Sequence, residues 1–372
     1  MLSTQVREKL ILFGNALIDQ KRAHVVVEPM QGKSGFWFGG GNLVEDQVGN
    51  LFLVGRYRNF GDSRTGLGVG ERGLELAIFQ SSDRGKSFKK VLSFQKSDLN
   101  VGEREALSIE GAALHFTTDG VELFVSTEKA NLSYPTGLES YQKPGTGVWT
   151  IERLQSKTIA GLADAPIKTI LECRDPQWLH VKDPFICEQA NGDLLLGFTT
   201  HPFNWASSNS AYVLRAQGQE EFSAPVYDYF PRGYTWDVAI SRATAWLHVP
   251  QIGVFANQPL LTLLFYDGGE SMRDLDEHKQ AISRPRGYSC EEIGGLAVAC
   301  GNETESIERL SANLPLFISP VGKGTSRYVD VLETDQGYYV TWEQSQDNLS
   351  QPLVMNYLSK EEAESILSTT NG

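Results

Sequence analysis

The chain has 372 residues, with 33 Lys and Arg against 46 Asp and Glu, so its formal net charge is −13 and its sequence pI is about 5.0. This acidic balance contains no run of basic residues, which argues against partners such as nucleic-acid phosphates or anionic membrane surfaces. Hydrophobic residues make up 41% and charged residues 21%, a composition typical of a globular protein with a sizeable core rather than a disordered chain.

The first segment, MLSTQVREKLILFGNALIDQK, predicts an amphipathic helix. Val6, Leu10, Phe13 and Leu17 recur at helical spacing, and polar residues interrupt the apolar run, which is untypical of a signal peptide. No apolar stretch approaches the roughly 20 residues that a membrane-spanning helix needs. These features predict a cytoplasmic protein.

Glycine, proline and aromatic residues favour many short strands joined by turns. The chain has 36 Gly, 15 Pro, 7 Trp, 13 Tyr and 18 Phe, so an all-β fold is expected. The cysteines show no CxxC pair and no zinc-site spacing, and they are too few for a disulfide framework. We therefore expect free thiols in a reducing compartment at Cys173, Cys187, Cys290 and Cys300.

A hairpin pattern recurs five times along the chain. Each copy has a polar or aromatic opening, an apolar strand, a turn and a second apolar strand. The copies span residues 36–59, 107–129, 180–202, 235–269 and 326–345. They lie about 70 residues apart, which is a repeat length rather than a chance recurrence. Further strand-like stretches between them bring each repeat to about four strands.

Repeated four-stranded antiparallel units predict a five-bladed β-propeller with short helices near both ends. We expect one domain over residues 1–372, with the segment 23–29 closing the ring beside 352–358 and Ser359 with Glu362 capping a final helix. The predicted blades cover approximately residues 30–100, 105–172, 178–230, 235–312 and 324–360.

In such a ring, the first strand of each blade starts on the same face where the second strand ends, around the central channel. Acidic, basic and aromatic residues occupy these positions, where a purely structural ring would carry small or apolar side chains. Carboxylates gathered in a partly desolvated funnel acquire divergent pKa values, as acid and base catalysis requires. The predicted contact residues are Asn42, Arg56, Arg58, Glu128, His201, Trp236, Asp267, Tyr328 and Glu343.

At this point the sequence resembles the five-bladed β-propeller glycosidases, the group of arabinanases, β-xylosidases and invertases. Lys182-Asp183-Pro184 is similar to the Arg/Lys-Asp-Pro element of their middle blade, and the resemblance implies that Asp183 is a stabilising carboxylate. The group normally carries an Asp at the start of blade one, where this chain has Asn42. Glu110 and Asp237 are the expected substitutes, and Asp62 is a third.

A second resemblance concerns sialidase-type propellers. The segment SSDRGKSF, residues 81–88, is similar to their Asp box, which folds a turn between outer strands. The last repeat resembles the sialidase segment with a nucleophilic Tyr, and this implies Tyr328 as nucleophile, Glu343 as its partner and arginines that hold a carboxylate.

These patterns predict a glycoside hydrolase that acts on a short saccharide in its central funnel, with Glu110, Asp183 and Asp237 as the catalytic carboxylates. The order of acid and base between Glu110 and Asp237 is left open. No cofactor is expected, and a structural divalent cation in the central channel is left open. The alternatives are a sialidase-like enzyme and a carbohydrate-binding propeller without catalysis.

Overall fold

The structure, a computed structural model, describes residues 2–58, 73–272, 291–300 and 306–368. Within these residues, helix α1 (Thr4–Leu17) and strand β1 (His24–Val27) come first in the chain, and helix α2 (Lys360–Ser368) comes last. Between them, the described residues form five antiparallel sheets. The predicted five-bladed β-propeller is confirmed.

Each sheet is one blade, and its strands follow one another outward from the axis. Blade 1 contains β2 (Trp37–Gly39), β3 (Leu43–Glu45), β4 (Leu51–Arg58), β5 (Glu75–Ser81) and β6 (Lys89–Gln95). Blade 2 contains β7 (Ala106–Thr117), β8 (Gly120–Lys129), β9 (Val148–Ser156) and β10 (Lys168–Leu171). Blade 3 contains β11 (His180–Glu188), β12 (Leu194–His201), β13 (Asn209–Arg215) and β14 (Val226–Phe230).

Blade 4 contains β15 (Ile240–His248), β16 (Leu261–Gly269), β17 (Ile293–Cys300) and β18 (Glu308–Arg309). Blade 5 contains β19 (Ser326–Thr334), β20 (Gly337–Gln344) and β21 (Leu353–Ser359), and β1 is its outer strand. In blade 1 the inner strand is divided, because β2 and β3 both pair with β4.

Tight turns separate the first two strands of several blades. Gly49 and Gly192 adopt φ values of 86° and 84°, a left-handed conformation that glycine reaches without steric cost. The segment predicted to be an Asp box forms the turn between β5 and β6. There Asp83 accepts hydrogen bonds from Ser87 and Ser81, which lower the pKa of its carboxyl to about 2.

The ends of the chain close the ring as expected. Strand β1 pairs antiparallel with β21, with Val25 opposite Val354. Helix α1 buries its predicted apolar face, and Phe13 packs edge-on against Tyr338 of β20 at 5.6 Å between ring centroids. The Ser359 backbone N–H donates to Glu362 Oε2 at 3.1 Å, and the Glu362 N–H donates to the Ser359 hydroxyl at 3.2 Å, which confirms the capping box.

Neighbouring blades are joined by hydrogen bonds between a side chain and a backbone group. Asn42 bonds both backbone groups of Leu114 at 2.7 and 2.9 Å, and Asp330 accepts from the Leu43 N–H at 2.8 Å. Asp183, Ser210 and Asp267 make similar bonds at the other three junctions. Buried polar groups of this kind are stable only when paired, so they fix the blades relative to one another.

In the described part of the chain, no helix is both long enough and apolar enough to span a membrane. Cys173, Cys187 and Cys300 are free thiols, as predicted, whereas Cys290 lies outside the described residues.

Candidate functional site

Three inner strands carry a bulge at the same height in the funnel. In blades 2, 3 and 5, the pairing between the first and second strands shifts over two residues, and the first residue of the pair is Glu110, Asp183 or Tyr328. Asp183 and Tyr328 have φ values of 52° and 53°, in a region that non-glycine residues rarely adopt. Because a bulge re-aims its side chain, each of these three blades delivers one functional group to the axis.

Blade 1 supplies a cation where blades 2, 3 and 5 supply a carboxylate or a phenol. Its inner strand breaks at Gly40, whose φ is 66°, and a Cβ at this glycine would stand 2.6 Å from Nη1 of Arg56. The Arg56 guanidinium, which comes from β4, therefore fills the space that an inner-strand side chain would take. The blade-one carboxylate implied by the resemblance is absent at Gly40 and Asn42.

Glu110 stands among three cations. Its carboxylate contacts the Arg58 guanidinium, Lys182 Nζ at 3.1 Å and Arg56 Nε at 3.4 Å, and the residue is only 4% exposed. Burial alone would raise the pKa of Glu110, but Arg58, Lys182 and Arg56 hold this pKa well below its usual range. Glu110 is therefore ionised throughout the neutral range.

The alternation of charges continues into blades 4 and 5. Glu343 accepts from Arg56 and from Arg327, each at 2.8 Å, and Arg327 also contacts Glu292 at 2.6 Å. Arg242 then meets Glu292 at 3.2 Å. Each ion pair is buried, so its attraction is weakly screened, and removing one member would leave a charge without compensation.

Two carboxyl groups that contact Arg242, those of Glu292 and Asp267, differ in their pKa values. Burial would raise the pKa of Glu292, but Arg242 and Arg327 lower it to about 2. Burial raises the pKa of Asp267 to about 7, against the opposing effect of Arg242. Asp267 accepts from the Tyr328 N–H at 3.0 Å and from Arg242 at 3.2 Å. A change in the charge of Asp267 therefore affects both hydrogen bonds.

Within the described residues, Asp183 forms a hydrogen bond through only one of its carboxylate oxygens. Oδ1 accepts from the Gly111 N–H at 3.3 Å, while the Asp183 N–H donates to the Ser126 hydroxyl at 3.2 Å. Oδ2 is buried and has no hydrogen-bond partner among the described residues, and the nearest cation is Arg242 at 3.8 Å. A buried carboxylate oxygen without a partner is costly in a merely structural residue.

Tyr328 lies at the centre of the arginines. The guanidinium carbons of Arg56, Arg242 and Arg327 are 5.1, 4.9 and 5.1 Å from its ring centroid, and Arg242 donates to its hydroxyl at 3.3 Å. Burial raises the pKa of Tyr328 well above its usual value, although Arg242 opposes this. The phenol is therefore protonated at neutral pH.

Asp183, Arg242 and Tyr328 also line a cavity of about 20 Å³ on the axis, together with Gly41 and Thr199. A cavity of this size has room for about one water molecule. Among the residues that the structure describes, no group of three or more His, Cys, Asp or Glu side chains is arranged to hold a metal ion.

The structure brings most predicted contact residues into this charged cluster, but others lie elsewhere. Both ends of the Asn42 amide are bonded to Leu114, as described above, so the side chain joins blades 1 and 2. Glu128 accepts from the Gly147 N–H at 2.8 Å. His201 is buried at the end of β12, where Nδ1 meets the Ser207 carbonyl oxygen at 3.1 Å. Asp62 lies outside the described residues.

Asp237 and Trp236 lie between blades 3 and 4, near the outer strand of blade 4. Asp237 Oδ2 accepts from Nε of Arg309 at 2.7 Å, and Arg309 belongs to β18. Arg242, five positions further along the chain, does not pair with Asp237 but contacts the funnel carboxylates Asp267 and Glu292. Trp236 is fully buried in the hydrophobic core, and its indole N–H donates to the Ser311 carbonyl. Neither side chain joins the charged cluster.

Arg242 and Glu292 are the main site residues that the sequence analysis missed. Arg242 had a signal, because Lys182, Arg242 and Arg327 are the third, third and second residues of their inner strands. Glu292 had none, because it precedes the third strand of blade 4 and reaches the funnel only through the fold.

No protein-family model and no curated protein matches the sequence. Solved structures do match. One, described as a glycoside hydrolase, is 10% identical with a TM-score of 0.60 and covers 100% of this chain and 97% of its own. The GH43_1 enzyme from Xanthomonas citri, complexed with xylotriose, is 9% identical with a TM-score of 0.54, covering 95% and 93%.

An α-L-arabinofuranosidase from Lactobacillus brevis is also 9% identical, with a TM-score of 0.52 and coverage of 89% of this chain and 92% of its own. At these low identities, the TM-scores and the coverage establish similarity of fold alone. The chain therefore shares the five-bladed architecture of the glycoside hydrolases that its sequence was predicted to resemble.

Proposed function

We propose that the protein is a glycoside hydrolase that acts on a short, neutral saccharide in its central funnel. One observation carries the proposal: Oδ2 of Asp183 is a buried carboxylate oxygen with no hydrogen-bond partner in the described part of the chain. It lies near Glu110, whose pKa is held well below its usual range by Arg58, Lys182 and Arg56. Structural neighbours that are described as glycosidases, two of them complexed with xylotriose, support the same reaction class.

Glycoside hydrolysis proceeds through a transition state that resembles an oxocarbenium ion and usually needs two carboxyl groups with different roles. Glu110 keeps its negative charge and is suited to stabilising the positive charge that develops on the sugar. Asp183 Oδ2 is the oxygen available to exchange a proton or to approach the anomeric carbon. Asp237 is left out of this pair because it lies between blades 3 and 4, outside the charged cluster, where its Oδ2 is bonded to Arg309.

Ion pairing within the protein favours a neutral substrate over a sialoside. In the described funnel, five cations face five carboxyl groups: Arg56, Arg58, Lys182, Arg242 and Arg327 against Glu110, Asp183, Asp267, Glu292 and Glu343. Sialic acid would need arginines able to hold its carboxylate. Here the three arginines around Tyr328 already contact carboxylates of the protein.

The first test is hydrolysis of a panel of aryl glycosides that includes furanosides, pyranosides and a sialoside, with release of the aryl alcohol as readout. We expect wild type to hydrolyse a neutral glycoside, and Asp183→Asn to lose roughly 10³-fold in rate. Asp228→Asn is the matched control, because Asp228 has a similar left-handed φ of 54° but lies on the outer strand β14.

Equal rates in Asp183→Asn and Asp228→Asn would remove Asp183 from the mechanism. Selective hydrolysis of the sialoside would favour the sialidase-like alternative, and binding without hydrolysis of any glycoside would favour the non-catalytic propeller.

A further inference from the structure

A tryptophan with an unusual backbone stands after the second strand of blade 3. Trp205 has a φ of 54°, a left-handed conformation that is rare for a bulky side chain. Its N–H donates to the Pro202 carbonyl at 2.9 Å, and its side chain is half-buried. Strain of this kind persists only where the surrounding structure enforces it, and it clusters at ligand sites.

The indole packs over two buried imidazoles. Its ring centroid is 4.3 Å from that of His180, with 22° between the planes, and 4.6 Å from that of His201. Lys182 Nζ lies 5.5 Å from the Trp205 ring and 4.7 Å from that of Trp149. Since Lys182 also contacts Glu110, this aromatic group adjoins the charged cluster.

The hydrogen bond of His201 fixes its tautomer. The Ser207 carbonyl oxygen can only accept, so Nδ1 of His201 carries the proton. Burial, together with Lys182 and Arg242, holds the pKa of His201 well below its usual value, so the ring is neutral. Its Nε2 is therefore a bare acceptor, and it is buried without a hydrogen-bond partner among the described residues.

We propose that Trp205, His201 and Lys182 form a sugar-binding subsite beside the charged cluster. The exposed part of the indole packs against the C–H face of a sugar ring, Nε2 of His201 accepts a hydrogen bond from one hydroxyl, and Lys182 donates to a neighbouring hydroxyl oxygen. The ligand class is a neutral saccharide with adjacent hydroxyl groups. This assignment rests on the proposed function and names the residues that select its substrate.

Binding is measured separately from turnover, so that a failure of the subsite proposal can be distinguished from a failure of the glycosidase proposal. The probes are methyl thioglycosides of common pentoses and hexoses, whose sulfur linkage resists hydrolysis, titrated into the full chain by calorimetry. We expect one to bind wild type, and Trp205→Ala and His201→Gln each to weaken its affinity roughly tenfold.

Two matched controls probe residues away from the funnel. Trp178→Ala removes an indole that stacks on Tyr227 at 5.2 Å, and His248→Gln removes an imidazole bonded to Thr262. Both are expected to leave the affinity unchanged. A deoxy analogue lacking the hydroxyl that His201 recognises should bind wild type and His201→Gln equally, which a purely structural role would not produce.

Equal affinity in Trp205→Ala, His201→Gln and wild type would overturn the subsite, as would a wild type that binds none of the thioglycosides. Binding that depends on these residues, without hydrolysis of any aryl glycoside, would support the subsite and contradict only the glycosidase. Hydrolysis with an unchanged KM in both variants would contradict only the subsite.

Discussion

Nη1 of Arg56 lies 2.6 Å from the point where a Cβ on Gly40 would stand. Gly40 is the blade-one equivalent of the bulge residues Glu110, Asp183 and Tyr328. At this position the Arg56 guanidinium, from the neighbouring strand, therefore takes the place of an inner-strand side chain. The relationship changes the sign of the charge that blade 1 contributes to the funnel.

Gly40→Ala should therefore destabilise the protein more than its backbone strain alone predicts. Gly102 is the matched control, because its φ of 59° is similar and a Cβ there meets nothing within 4 Å. We expect Gly102→Ala to cost about 1 kcal/mol of unfolding free energy, and Gly40→Ala distinctly more. Urea denaturation checks this, and equal costs would show that Arg56 moves aside freely.

Glu110→Gln should remove activity and lower stability together. The substitution leaves Arg56, Arg58 and Lys182 without their shared buried carboxylate, which typically costs about 3–5 kcal/mol. In contrast, Glu75→Gln breaks an ion pair whose Lys90 partner is largely solvated, and it should cost under about 1 kcal/mol. Chemical denaturation of both variants gives the comparison, and a Glu110→Gln protein as stable as Glu75→Gln would contradict the buried cluster.

Asp267 should make stability fall as the pH rises. Its pKa is raised to about 7 in the folded protein, so the neutral carboxyl is favoured by folding, and this contribution is lost between about pH 4 and pH 7. Asp267→Asn removes the titration. We therefore compare the melting temperature of Asp267→Asn with that of wild type at each pH. The difference, variant minus wild type, should be more favourable to the variant at pH 8 than at pH 4. A difference independent of pH would show that Asp267 is ionised throughout.

His115, at the boundary between blades 2 and 3, should also make the stability of the protein fall as the pH rises. Its Nδ1 contacts Glu122 at 2.8 Å and its Nε2 contacts Glu188 at 2.9 Å, and these carboxylates raise the pKa of His115 although burial opposes them. The stabilisation is complete below about pH 6.5 and is lost as the pH rises through the raised value.

His115→Gln should accordingly lower the melting temperature more at pH 6 than at pH 9. Glu188→Gln should show a weaker form of the same dependence, because the Glu188 side chain is 70% exposed and its charge is screened. Melting curves at the two pH values test both variants, and an equal loss at pH 6 and pH 9 would mean that folding does not raise the pKa of His115.

Local signals in the sequence were sufficient for the architecture and for part of the site. Turn residues and alternating apolar strands recur with each blade, and the position after each blade opening pointed to Glu110, Asp183 and Tyr328. Asp237 occupies a comparable position in the chain, yet it bonds to Arg309 on an outer strand. Proximity to a strand start does not determine whether a side chain faces the axis or the gap between blades.

The sequence by itself determined the number of blades, the closure of the ring and the face that carries the polar residues, because hydrophobic period and turn chemistry are local properties of the chain. Only the tertiary structure decided which charges meet. Arg56, Arg242 and Glu292 come from three different positions in their blades, and their ion pairs join residues up to 287 positions apart. Among the described residues, Oδ2 of Asp183 and Nε2 of His201 likewise become buried atoms without a partner only once the blades surround them, because burial, and not residue type, makes an unpaired polar atom costly.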